Sequence, residues 1–205
     1  MLRLLTALFL FFSFLANPMK GQLQIVDSLK QVLPSKNSEE QASILNELAL
    51  LIRKTDARES LEWSLKAKTL ASEQLFHEEI LKAQYMSIEA YCQLGYHDSV
   101  ITIGNLILPN LQKIDLKELE IKTLLEIGKS YWKLGDWKSS LDYANRAAKI
   151  AESIQNPVLL WHVYKSLGIL YYDSLNEEAS DLYVQKAYEQ FNLTNDPTLL
   201  PEYYY

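Results

Sequence analysis

His77, His97 and His162 are the only imidazoles in the chain, and Cys92 is its only thiol. Such groups do chemistry when they stand together, as metal ligands or as a nucleophile with its base. Here no histidine shares a convincing helical face with another histidine, with Cys92 or with a carboxylate. There is no G-x-S-x-G, no phosphate-cradling glycine loop and no H-E-x-x-H. A reactive thiol needs a basic neighbour, and Cys92 lies between Tyr91 and Gln93, which reads as a small, half-buried helix residue. Asp98 and the pairs Glu39-Glu40, Glu78-Glu79 and Glu177-Glu178 stand near expected helix starts, where carboxylates meet the positive end of the helix dipole. These residues point away from an enzyme, and they imply no cofactor and no metal. The remaining distinctive set is Lys122, Lys129 and Lys133, spaced by seven and four, with Trp132 among them. That spacing puts the three lysines on one face of a helix.

A helix-rich frame must position them. Leucine supplies 37 of the 205 residues and valine only six, a balance that favours helix over sheet. The chain is 48% hydrophobic and 22% charged, too apolar for disorder. Its formal net charge of −6 argues against general nucleic-acid binding. One cysteine excludes an intrachain disulfide framework.

Residues 1–21, MLRLLTALFLFFSFLANPMKG, read as a secretory signal peptide. Arg3 opens it, an apolar run follows from Leu4 to Leu15, and Pro18 and Lys20 close it. The run is shorter than the roughly 20 residues of a membrane span. Cleavage after Ala16 and cleavage after Gly21 both remain open.

The rest repeats every forty residues. Tyr91, Tyr131 and Tyr171 share a column; so do Leu94 and Leu134, Gly95 and Gly135, and Gly128 and Gly168. Ser60, Ser140 and Ser180 form another, and Ala67, Ala147 and Ala187 a further one. Asn156-Pro157 returns as Asp196-Pro197. Within each unit the apolar spacing predicts two amphipathic helices. The pairs are 39–54 with 57–75, 79–94 with 97–112, 121–134 with 137–154, and 158–174 with 177–191. The first has a turn one residue shorter. An opening helix and linker occupy 22–38. VITIG at 100–104 would pass for a strand in isolation and is helical only by register; Pro109 predicts a bend. Residues 39–200 thus make four units, and 201–205 belong to the start of an incomplete fifth. Tyr203-Tyr204-Tyr205 is the opposite of a polar cap, which leaves self-association through an uncapped C-terminal end as one expectation.

Ile127-Gly128, Tyr131, Gly135-Asp136-Trp137, Ser140, Ala144 and Ala147 resemble the tetratricopeptide repeat. The resemblance recurs at Leu167-Gly168, Tyr171, Ser180 and Ala187, and covers residues 39–200. Ile88 in the glycine column and Leu175 at a turn-glycine position depart from it. The family unit is 34 residues; the extra six here would lengthen the second helix and its exit turn. The resemblance implies an all-α, right-handed superhelical solenoid of antiparallel helix pairs with about 40 residues per unit. Forty-residue units behind a signal peptide are also similar to the extracytoplasmic input regions of bacterial sensor histidine kinases and transcriptional regulators. That similarity implies a periplasmic, non-enzymatic partner-sensing module. A free-standing periplasmic scaffold or assembly factor is the alternative.

If the units stack as in the family, each first helix lines a concave groove. Its candidate binding residues are Lys82, Tyr85 and Glu89 in unit two, Lys122, Lys129, Trp132 and Lys133 in unit three, and His162, Lys165 and Tyr172 in unit four. Rigid aromatics anchor and lysines steer encounter, so this set points to a protein or peptide ligand of anionic character. A solvated lysine face is the plainer alternative. Lys129 and Ile169 stand where some family members place the asparagine of a carboxylate clamp, so that activity does not carry over.

Overall fold

The computed structural model describes residues 18–194. The opening helix α1 spans Pro18–Val32 and ends in a 3-10 turn, Leu33–Ser35, as Pro34 requires. Eight helices follow: α2 Ser38–Ile52, α3 Ala57–Glu73, α4 His77–Gln93, α5 His97–Lys113, α6 Lys117–Lys133, α7 Trp137–Ile154, α8 Pro157–Asp173 and α9 Glu177–Thr194. The VITIG segment lies inside α5, which runs unbroken past Pro109. Pro18–Gly21, the end of the expected leader, form the first turn of α1. The rest of the expected leader, 1–17, and the end of the chain from Asn195, including the expected start of a fifth unit, lie outside the described residues.

Asparagine and aspartate begin several of these helices by taking up backbone N–H groups that have no partner within the helix. Asn37 and Glu40 form a reciprocal capping box on α2. Asp56 accepts from the N–H groups of Arg58 and Glu59 at the start of α3. Asn156 accepts from those of Val158 at 3.0 Å and Leu159 at 3.2 Å, with Pro157 occupying the first helical position.

The helix exits follow a stricter rhythm than the glycines alone suggest. Left-handed residues fall at 75, 95, 115, 135, 155 and 175, every twenty residues. Only Gly95 and Gly135 are glycine; the others are Leu75, Asp115, Gln155 and Leu175. At five of the six, the next residue's N–H reaches back to a carbonyl five positions earlier, as Tyr96 does to Tyr91 and Asn176 to Tyr171. That bond is the helix-ending motif in which a left-handed residue is obligatory. The turn after α2 lacks it, consistent with its missing residue.

The repeat columns prove to be contacts between helices. A Cβ on Gly128 of α6 would lie 3.2 Å from the Ser140 carbonyl oxygen of α7, so glycine is what lets those two backbones approach. The Ser60 hydroxyl donates to the Ala49 carbonyl, and Ser180 donates to that of Gly168, tying second helices to first helices. Tyr131 stacks on Tyr143 and, forty residues on, Tyr171 stacks on Tyr183, each pair 5.5 Å apart. Ala67, Ala147 and Ala187 are all buried, and so is Ile88 despite its size. A continuous apolar core runs from Leu81 to Ala187, with Trp161 fully enclosed.

Successive helices pack along the whole array. First helices also touch the next first helix, α2 with α4, α4 with α6 and α6 with α8, whereas second helices make no comparable contact with one another among the described residues. The layer of first helices is therefore the inner, concave one.

Candidate ligand groove on the inner helices

Two adjoining hollows, of about 690 and 480 Å³, open on that inner layer. Arg53, Glu89, Leu125, Glu126 and His162 line both, so they form one groove with a waist. Its walls follow a simple rule. Four columns at i, i+3, i+4 and i+7 of each first helix face it: Lys82, Tyr85, Met86 and Glu89 on α4; Lys122, Leu125, Glu126 and Lys129 on α6; His162, Lys165, Ser166 and Ile169 on α8. On α2 the same face is Ser43, Asn46, Glu47 and Leu50, displaced by thirty-nine because of the shorter turn.

Eight of the ten candidate residues line the groove: Lys82, Tyr85, Glu89, Lys122, Lys129, Trp132, His162 and Lys165. Lys133 and Tyr172 line neither hollow. Lys133 lies one position beyond the inward face, with its ammonium 4.2 Å from the centre of the Trp132 ring, and Tyr172 is largely exposed. Trp132 lines the second hollow, but its indole N–H already donates to Asp173 at 3.0 Å, bracing unit three against unit four. Sequence reading missed the column of Glu47, Met86, Glu126 and Ser166, and all of α2. The i+4 position beside each residue chosen at i+3 would have revealed the column, and the one-residue offset would have revealed α2.

The electrostatics differ from those of a bare lysine row. Lys82 bonds Glu78 and Glu79 at 2.8 and 2.9 Å, and Lys122 bonds Glu118 at 2.6 Å. Lys129 sits 3.7 Å from Glu126. Burial alone would lower the Lys129 pKa, but the neighbouring Glu126 carboxylate outweighs it and raises it. The larger hollow carries five carboxylates, Glu47, Glu79, Glu89, Glu118 and Glu126, against Arg53, Lys82 and Lys122. The smaller reverses this: Arg53, Lys54, Lys129 and Lys165 against Glu89 and Glu126. The three lysines expected to present one cationic face are thus divided: Lys122 lies in the acidic hollow, Lys129 in the basic one, and Lys133 outside both.

At the waist, Arg53, at the C-terminal end of α2, reaches Glu89 of α4 at 3.3 Å. Burial lifts the Glu89 carboxyl above its ordinary pKa; Arg53 opposes this and Glu126 adds to it. Burial also holds the Tyr85 phenol well above its usual range, with Glu89 and Glu126 adding to the effect. The Cys92 thiol is pushed up to about 12, again mainly by burial, which disfavours the thiolate form. His97 is held by its Nδ1 contact to Ser130 Oγ, 3.3 Å. Among the described residues no cluster of His, Cys, Asp and Glu could hold a metal ion, and no helix is long and apolar enough to cross a membrane.

The architecture is a helical-repeat solenoid of tetratricopeptide type, with a groove along its inner helices. No family model matches the chain. Among solved structures it is similar to a Rap protein complexed with competence and sporulation factor, with TM-score 0.80 and 14% identity over 90% of this chain and 53% of that one. It is similar to Bacillus thuringiensis PlcR in complex with the peptide PapR7 and DNA, with TM-score 0.77 and 20% identity over 90% of this chain and 69% of that one. It is also similar to aspartyl phosphate phosphatase F from Bacillus subtilis, with TM-score 0.75 and 15% identity over 85% of this chain and 46% of that one. The chain thus spans about half the length of two of these proteins and about two thirds of the third. At such identities the likeness is one of fold.

Proposed function

We propose that this chain is a non-enzymatic module that binds a peptide, or an extended segment of a protein, along its inner groove. The observation carrying this reading is the continuity of the groove: the same four columns from all four units open on it. A surface assembled from successive repeats suits a ligand that is itself extended. Two of the similar structures hold the peptide PapR7 or competence and sporulation factor, which supports the same reading. Acidic groups of such a ligand suit the smaller hollow, where cations outnumber carboxylates. The acidic chain as a whole does not favour nucleic acid.

Residues 1–21 direct the module across the inner membrane, and it serves as the partner-sensing part of a bacterial signalling protein. Fusing alkaline phosphatase to the chain checks the export: activity is expected outside the cytoplasm and lost when residues 1–21 are deleted. A selection of random heptapeptides displayed on messenger RNA, with the full chain as bait, checks the binding. Enrichment of a related set of peptides that compete with one another is expected. Absence of any enriched set removes the reading.

A second reading, a free-standing scaffold that self-associates through its C-terminal end, draws on the half-exposed Leu182 and Tyr188 of α9. Light scattering over a concentration series decides it, since a strict monomer excludes it.

A further inference from the structure

Five buried side-chain polar atoms lack a hydrogen-bond partner among the described residues. Four belong to residues that line the groove: Asn46 Oδ1, Glu89 Oε2, Glu126 Oε2 and Ser140 Oγ. Such atoms are costly and scarce in a folded protein, and they gather where a ligand or a strain is to be satisfied. The first three all line the larger hollow, and all three can only accept.

Each is fixed for a physical reason. Asn46 is 7% exposed, and its amide nitrogen donates to both Glu79 O at 3.1 Å and Glu79 Oε2 at 2.7 Å. Both of those partners are acceptors, so the amide cannot be turned over, and Oδ1 is left facing the other way. Arg53 Nε engages Glu89 Oε1 and the Tyr85 phenol stands beside the same carboxylate, while Oε2 makes no hydrogen bond of ordinary geometry. The ammonium of Lys129 forms an ion pair with Glu126 Oε2 at 3.7 Å, longer than a hydrogen bond, with the Cys92 thiol beside the same carboxylate, and that of Lys122 is held by Glu118. Helix dipoles explain neither carboxylate, because Glu89 lies in the last turn and a half of α4 and Glu126 in the second half of α6, where a negative charge is disfavoured. The two side chains are 18% and 20% exposed, and their terminal torsions are soft, so a small rotation brings the buried oxygen to the groove.

We propose that the waist and the larger hollow form a subsite for a cationic N–H donor, an ammonium or a guanidinium, with Glu89, Glu126 and Asn46 as its acceptors. The proposal rests on the peptide-binding reading and specifies the chemistry of one position of that peptide. Two carboxylates and an amide oxygen, converging from three helices, match the several donors that such a group carries. The cation comes either from a Lys or Arg side chain or from the free N-terminus of the peptide.

Positional-scanning heptapeptide pools, each made with a free and with an acetylated N-terminus, distinguish these sources. Binding of each pool to the full chain is followed by fluorescence polarisation. Pools with Arg or Lys fixed at one position are expected to bind about tenfold more tightly than pools with norleucine there. If the ammonium comes from the N-terminus, acetylation is expected to cost the same factor. Either preference is expected to collapse in the isosteric double variant E89Q/E126Q, with helicity retained in circular dichroism. Peptides that bind without any cation preference, that favour acidic residues at every position, or that keep their preference in E89Q/E126Q overturn the subsite while leaving the groove standing. If no pool binds at all, the peptide-binding reading falls and the subsite falls with it.

Discussion

Replacing Leu75 and Leu175 with glycine is expected to stabilise the protein. Both hold φ of +59° in helix-ending turns, and both project into solvent, 71% and 89% exposed. A residue with a β-carbon gives up roughly 1–2 kcal/mol in the left-handed region. Glycine escapes that cost but adds about 0.5–1 kcal/mol of entropy to the unfolded chain. Little packing is lost, since the leucine side chains meet mostly water. The net gain is about 0.5–1 kcal/mol per site, or about 1–2 kcal/mol for the pair, because sites this far apart in a linear array act independently. For a chain of this size that raises the melting temperature by about 2–8 °C. Thermal unfolding followed at 222 nm measures it. L75A/L175A is the control: alanine keeps the β-carbon and therefore the strain, and is expected to gain nothing. A glycine pair no more stable than the alanine pair would refute the argument that the twenty-residue turn rhythm imposes left-handed geometry on these leucines.

Other consequences follow from the same contacts. G128A should lower stability by about 1 kcal/mol in chemical denaturation, since the added Cβ meets backbone of α7 rather than a side chain that can yield. N156A should cost about 1 kcal/mol by freeing the Val158 and Leu159 N–H groups, and N156D should retain most of it. Glu89 has a raised pKa when folded, so the native state holds its proton more tightly than the unfolded chain; its contribution to stability is present at low pH and declines as pH rises above about 4.3. E89Q is accordingly expected to be more stable than the parent at pH 7, with the difference vanishing near pH 4 in matched denaturant titrations.

Much of this structure is legible in the sequence because repetition supplies its own check. VITIG on its own carries the signature of a strand, and only the forty-residue register makes it the start of a helix, which α5 bears out. The tyrosine, serine and small-residue columns were readable as positions, but their roles as stacked pairs and hydroxyl ties needed three dimensions. Leu75 and Asp115 were opaque as turn residues because a side chain there disfavours the conformation that the turn demands, whereas Leu175 was legible as a departure from the turn-glycine column. Eight of the ten candidate residues line the two hollows of the groove. Lys133 and Tyr172 were placed on its face and lie off it, while Glu126, the residue that makes the waist acidic, was passed over in favour of the lysines around it. Sequence spacing tells which side chains share a face. It does not tell that Lys122 is already taken by Glu118, or that Glu126 keeps a buried oxygen without a hydrogen bond.

The central claim is that ligand enters along the inner helices. Isotope-labelled full-length chain, titrated with a peptide obtained by display selection, tests it through chemical-shift changes. The shifted signals are expected to cluster on Leu125, Glu126 and His162 at the waist and to spread along α4 and α6, while Leu106 and Leu182 on the second helices stay in place. Shifts confined to the second helices, with the waist silent, would contradict it.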